Sequence, residues 1–171
     1  GKVDGYMRIS LHWYNYDDLD LHMESPYGHI HYGYKSNLLD VDMNASGGSA
    51  SEERANPKRY SRNAVENIIF SGVPKAGKYE VFVNNFVKIE NIDLGFEVEI
   101  ELDGIVHTYV YDKDVPDRAN IPVLDFTSDG YKVVFTKEHL SSTTASKEIW
   151  GVKTQNFVEV SAICLSPNYW G

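Results

Sequence analysis

Strict alternation of apolar and polar residues is the feature that most limits what this chain can become. In the segment starting at Met7, the residues Met7, Ile9, Leu11 and Trp13 fall on one side, and Arg8, Ser10 and His12 fall on the other. Leu19, Leu21 and Met23 alternate with Asp20, His22 and Glu24, and Leu39, Val41 and Met43 alternate with Asp40, Asp42 and Asn44. Two further runs repeat the pattern, through Tyr79, Val81 and Val83 and through Phe96, Val98, Ile100 and Leu102. A strand sends successive side chains to opposite faces, so a period of two builds a sheet with one apolar and one wet face, whereas a helix would scatter these positions around its axis. Leu21, Val41, Val81 and Val98 are accordingly expected in the core. Val and Ile together outnumber Ala and Leu, which favours strands for the same steric reason.

Turn signals separate the runs. Ser25-Pro26-Tyr27-Gly28 carries Pro and Gly where a type I turn takes them, and Asp103-Gly104 is a short hairpin signal. Further strands are expected at residues 29–34, 65–70, 131–137 and 157–165. The whole reads as a single all-β domain, 1–171: an antiparallel β-sandwich of Greek-key or jelly-roll type with about ten short strands. Two stretches fall outside the pattern. Residues 45–63 read as a long loop insertion with a basic end, and residues 112–129, with Pro116 and Pro122, read as an irregular connection. A short helix is expected at residues 145–150.

The formal net charge is −9 over 171 residues, which speaks against a nucleic-acid partner, because phosphate contact needs a basic face. A divalent cation, a neutral glycan or a protein partner suits this charge. No apolar run approaches the length that membrane insertion requires. The lone Cys164 cannot form an internal disulfide and reads as a buried small hydrophobe in a strand.

The densest chemistry lies around the first hairpin. With Ser25–Gly28 as the turn, Met23 faces Ile30, Glu24 faces His29, His22 faces His31 and Leu21 faces Tyr32. Leu19, Leu21, Met23, Ile30 and Tyr32 then share the core face. Asp20, His22, Glu24, His29 and His31 share the polar one. If the strand of Asp40 and Asp42 lies beside this hairpin, its two carboxylates approach Asp18 and Asp20, and a second strand, backbone carbonyls of the Asn15–Asp17 turn or water would complete a cation shell. Four close carboxylates call for a neutralising ion. The candidate metal ligands are Asp18, Asp20, Asp40, Asp42, His22 and His31. Oxygen ligands favour Ca²⁺, and the imidazoles favour Zn²⁺ as the less expected ion.

The same stretches carry a resemblance. W-x-N-x-D-D-L-D-L-H, S-P-x-G-x-x-I-x-Y, L-D-V-D-M-N, V-E-N-I-I-F and A-G-K-Y-E-V-F-V-N-N-F, in that order, resemble the YfaP-type bacterial domain of uncharacterised function. More distantly they resemble the pre-peptidase C-terminal domains of secreted proteases. The resemblance covers residues 7–102 and implies a β-sandwich accessory module in a secreted or cell-envelope setting, with no catalytic residue to carry over. The insert at 45–63 and the tail beyond residue 112 depart from that pattern, and leave a virion or cytoplasmic setting open.

No nucleophile elbow, phosphate loop or C-x-x-C is present, so an enzymatic role is the less expected one. Three readings follow: a non-catalytic binding or accessory module with a Ca²⁺ site; a metal-dependent hydrolase using His22, His31 and Asp20; and a structural or assembly domain. Trp13 reads as core, and Trp150 and Trp170 as candidates for an interface.

Overall fold

A computed structural model describes residues 5–41, 64–92, 94–146, 148–149 and 152–153. The strands, in chain order, are β1 (Met7–Trp13), β2 (Asp18–Ser25), β3 (Gly28–Ile30), β4 (Leu39–Val41), β5 (Ala64–Phe70), β6 (Gly77–Val87) and β7 (Phe96–Leu102). They continue with β8 (Ile105–Tyr111), β9 (Asn120–Ser128), β10 (Val133–Glu138), β11 (Ser142–Ser146), β12 (Glu148–Ile149) and β13 (Val152–Lys153). No helix occurs among the described residues. A six-stranded sheet runs β11-β8-β7-β1-β5-β4, a five-stranded sheet runs β10-β9-β6-β2-β3, and β12 and β13 form a separate pair. All pairings are antiparallel, and the protein is an all-β sandwich.

The alternation does what it should. Met7, Ile9, Leu11 and Trp13 are fully buried, as are Leu21, Met23 and Val98, with Val81 all but so. They pack with Tyr79, Tyr109 and Phe126 in one core between the two sheets, where the rings of Tyr79 and Phe126 stack at 4.5 Å. Val41, the fourth expected core position, lies in β4, whose side chains are outside the described set. The Asp103-Gly104 turn joins β7 to β8 with positive φ at both residues, the conformation that a two-residue hairpin demands and that Asp-Gly tolerates.

Buried polar groups tie the layers together. Glu66 projects inward from β5, and its Oε2 accepts the Leu21 N–H of β2 at 2.7 Å. That donor has no strand partner, because β3 ends at Ile30, opposite Met23. The loop after β1 is fixed by Asp17. Its Oδ1 accepts the N–H groups of Ile89 and Glu90 at 2.7 and 2.9 Å, and its Oδ2 accepts from Asn15 Nδ2 at 3.0 Å.

The structure corrects three expectations. The expected irregular stretch at 112–129 contains β9, an interior strand of the five-stranded sheet. Pro122 is tolerated there because it sits at a bulge: Val81 pairs with Leu124 and Phe82 with Pro122, leaving Val123 over, and Val123 and Leu124 are both buried. The expected helix at 145–150 is replaced by the end of β11 and by β12. The strand expected at 29–34 ends at Ile30, and Tyr32 is 47% exposed rather than in the core, because the backbones of His31 and Tyr34 bond to each other in a turn. The expected insert at 45–63, the strand at 157–165, Cys164, Trp150 and Trp170 lie outside the described residues.

Replacing Leu21 by Ala is expected to lower the unfolding free energy by about 2–5 kcal/mol. Replacing Tyr131, which is 87% exposed, should change it by less than about 0.5 kcal/mol. Urea titrations of both variants check this.

Candidate functional site

The outer face of the five-stranded sheet gathers the functional side chains. The tight turn at residues 25–28 pairs Ser25 with Gly28, Glu24 with His29 and Met23 with Ile30, the register expected from the sequence. His22 on β2 and His29 on β3 therefore project to the same outer side, and His31 follows just after β3. The His22 and His29 ring centres are 5.0 Å apart, those of His29 and His31 4.8 Å, and those of His22 and His31 5.5 Å. Nδ1 of His22 lies 2.8 Å from Nε2 of His29, and Nδ1 of His29 lies 3.5 Å from Oε1 of Glu24. Nδ1 of His29 faces the Glu24 carboxylate, and a single hydrogen bond joins Nδ1 of His22 to Nε2 of His29. Nε2 of His22 is buried without a hydrogen-bond partner.

Phe82 of β6 packs against both rings, 5.1 Å from His22 and 5.8 Å from His29. Burial lowers the His22 pKa to about 4, and the neighbouring His29 and His31 add to the shift. The His31 pKa is also lowered, first by burial and then by His29, with Glu24 opposing. His22 is thus a neutral imidazole at neutral pH.

On the other side of Phe82 lies a cleft of about 260 Å³, lined by Glu80, Val81, Phe82, Asn120, Pro122, Asp125 and His139. Nε2 of His139 is 2.9 Å from Oδ1 of Asp125, and the His139 N–H donates to the Val123 carbonyl at 2.9 Å. Asn84 Nδ2 donates to Asn120 Oδ1 at 2.6 Å. Asn120, Pro122 and Asp125 fall in the stretch 112–129 that the sequence pattern reads as a connection, so their place beside Phe82 is not legible from it. The available signal was the apolar run after Pro122, read across a bulge.

The expected metal ligands are distributed differently. Asp18 and Asp20 are on β2, as expected, but both are buried, at 2% and 4% exposure, rather than displayed on a wet face. Asp40 belongs to β4, which pairs with β5 at the edge of the other sheet and does not join the first hairpin. Asp42 lies outside the described residues. The carbonyl of Asp17, offered for a cation shell, accepts the Trp13 indole N–H at 2.7 Å instead. Of the described members of that set, His22 and His31 stand ring to ring, and His29 joins them. Among the described residues, no group of three or more His, Cys, Asp or Glu side chains is placed to hold a metal ion.

No protein-family model, curated protein or solved structure matches this chain. Among the described residues, no helix is long and apolar enough to cross a membrane.

Asp17→Ala is expected to destabilise the fold by about 2 kcal/mol, since two part-buried backbone donors lose their charged acceptor. Asp129 accepts the N–H groups of Tyr131 and Lys132 in the same way but in full contact with solvent, so Asp129→Ala should cost far less. Denaturant midpoints with unchanged slopes check the contrast.

Proposed function

We propose that this protein is a non-catalytic β-sandwich binding module that receives a neutral glycan in the cleft beside Phe82. The carrying observation is the make-up of that cleft. Phe82 and Pro122 provide an apolar floor, and Glu80, Asn120, Asp125 and His139 stand around it as hydrogen-bonding groups. A ligand with apolar C–H faces and a rim of hydroxyls satisfies both, whereas an anionic ligand meets two carboxylates. The overall charge of −9 acts in the same direction.

Binding rather than catalysis is supported by the residue types. Among the cleft residues there is no hydroxyl or thiol for His139 to activate, and Nε2 of His139 already faces Asp125. The hydrolase reading of His22, His31 and Asp20 loses support because Asp20 is buried and Nδ1 of His22 is bonded to His29. The YfaP-like resemblance adds the accessory role and a secreted or cell-envelope setting to the proposal.

Titration calorimetry with a panel of neutral oligosaccharides tests it. Phe82→Ala should weaken the best ligand by about tenfold, equivalent to about 1.4 kcal/mol. Asp125→Asn should weaken it through the lost acceptor, and Tyr131→Ala, far from the cleft, should leave it unchanged. Binding of a basic peptide in place of every glycan would move the reading to a protein partner. Equal glycan affinity in Phe82→Ala and the unaltered protein would remove the cleft from it.

A further inference from the structure

An open sandwich ends each sheet on strands whose outer edge is a row of backbone donors and acceptors that another strand can take. Here the large sheets end on β11 and β4 and on β10 and β3. Three of these four edges are blunted. β3 and β4 are three residues long, and they carry His29 and Asp40. β10 is six residues long, but a bulge between Phe135 and Lys137 bends it, and Lys137 and Glu138 charge it. β11 has none of these devices. Its five residues, Ser142-Thr143-Thr144-Ala145-Ser146, pair with β8 in an unbroken register and include no Pro, Gly or ionisable side chain. Among the described residues β8 is its only sheet neighbour, and Thr143, Thr144 and Ala145 are exposed. From this contrast we infer that β11 is the edge at which two copies of the chain join, antiparallel and about a two-fold axis.

Charge selects a second copy as the occupant. Each chain carries −9, so copies repel, and like charges set directly opposite each other across a ladder destabilise it. A strand paired with its own copy avoids that penalty only if it is neutral, and the chain is neutral from Leu140 to Ser146. Centred on Thr144, antiparallel self-pairing sets Thr144 against its copy, Thr143 against Ala145 and Ser142 against Ser146. Threonines directly opposite each other are a favourable cross-strand pair.

Glu138 lies beside this edge, where it accepts hydrogen bonds from Ser142 Oγ at 2.9 Å and from Tyr109 OH at 2.8 Å. In the paired form the two Ser142 positions stand four residues, about 14 Å, apart along the strands. Physiological salt screens charges over about 8 Å, so the two Glu138 carboxylates do not oppose the pairing. Each copy offers one such edge and uses it once, so the assembly closes at two. A pairing of this length buries little area, which makes the association weak and dependent on concentration.

The test uses the full chain in reductant, which excludes a link through Cys164. Sedimentation equilibrium should move from the mass of one chain to that of two as the concentration rises into the high micromolar range. Amide exchange over residues 142–146 of the unaltered chain should slow in step. Thr144→Lys sets two lysines against each other at the axis and should restore the mass of one chain. Thr144→Ser, which keeps the strand neutral, and Thr136→Lys, on the exposed edge of β10, should still form the dimer. Circular dichroism of both lysine variants should match that of the unaltered protein. A single-chain mass at every concentration, which would leave this edge to a different strand, would overturn the inference. So would a dimer that survives in Thr144→Lys, slowed exchange at β10 or β3 in place of β11, or growth beyond two chains.

Discussion

Everything in this structure depends on the two-residue period of its strands. One side of each sheet is committed to a shared dry core holding Trp13, Tyr79, Tyr109 and Phe126. The hydrophobic effect fixes that assignment, because a shift by one residue would exchange every buried side chain for a polar one. The outer faces are then free of packing duty. The imidazoles and the cleft both occupy such a face, on a platform whose geometry is paid for by the core beneath it.

The legible part of the fold was the part in which local pattern and tertiary burial agree. β1, β2, β6 and β7 could be read directly, since Met7, Leu21, Val81 and Val98 face inward as the alternation demands. The failures have specific causes. Tyr32 continues the alternation of β3 in sequence, but the mutual backbone bonds of His31 and Tyr34 bend the chain before it arrives. Pro122 looks like a breaker, and its missing N–H does no harm at a bulge. The site divides in the same way. The register that brings His22, His29 and Glu24 together follows from a local turn. Asp17 finds its backbone partners 72 and 73 residues away, which no local pattern announces. The assignment of β4 to the other sheet, away from the first hairpin, depends on its pairing with β5 and was equally hidden.

One side chain joins the two clusters on this face. Phe82 touches His22 and His29 on one side and lines the cleft on the other. Asn84 and Asn120, bonded to each other on neighbouring strands, sit beside Phe82 along β6 and at the start of β9, so the floor is carried by paired strands rather than by loops.

The place of β1 in the six-stranded sheet has a consequence for how the chain is made. β1 pairs with β5 on one side and β7 on the other, so Met7 lies opposite both Phe70 and Leu102. β1 therefore leaves the ribosome before both of its neighbours and stays without them until much later residues have emerged. Met7, Ile9, Leu11 and Trp13 stay uncovered throughout that interval, and contacts of such long sequence separation form slowly. Until β5 and β7 arrive, both edges of β1 are open, the condition in which an unpaired strand is prone to pair with the wrong chain.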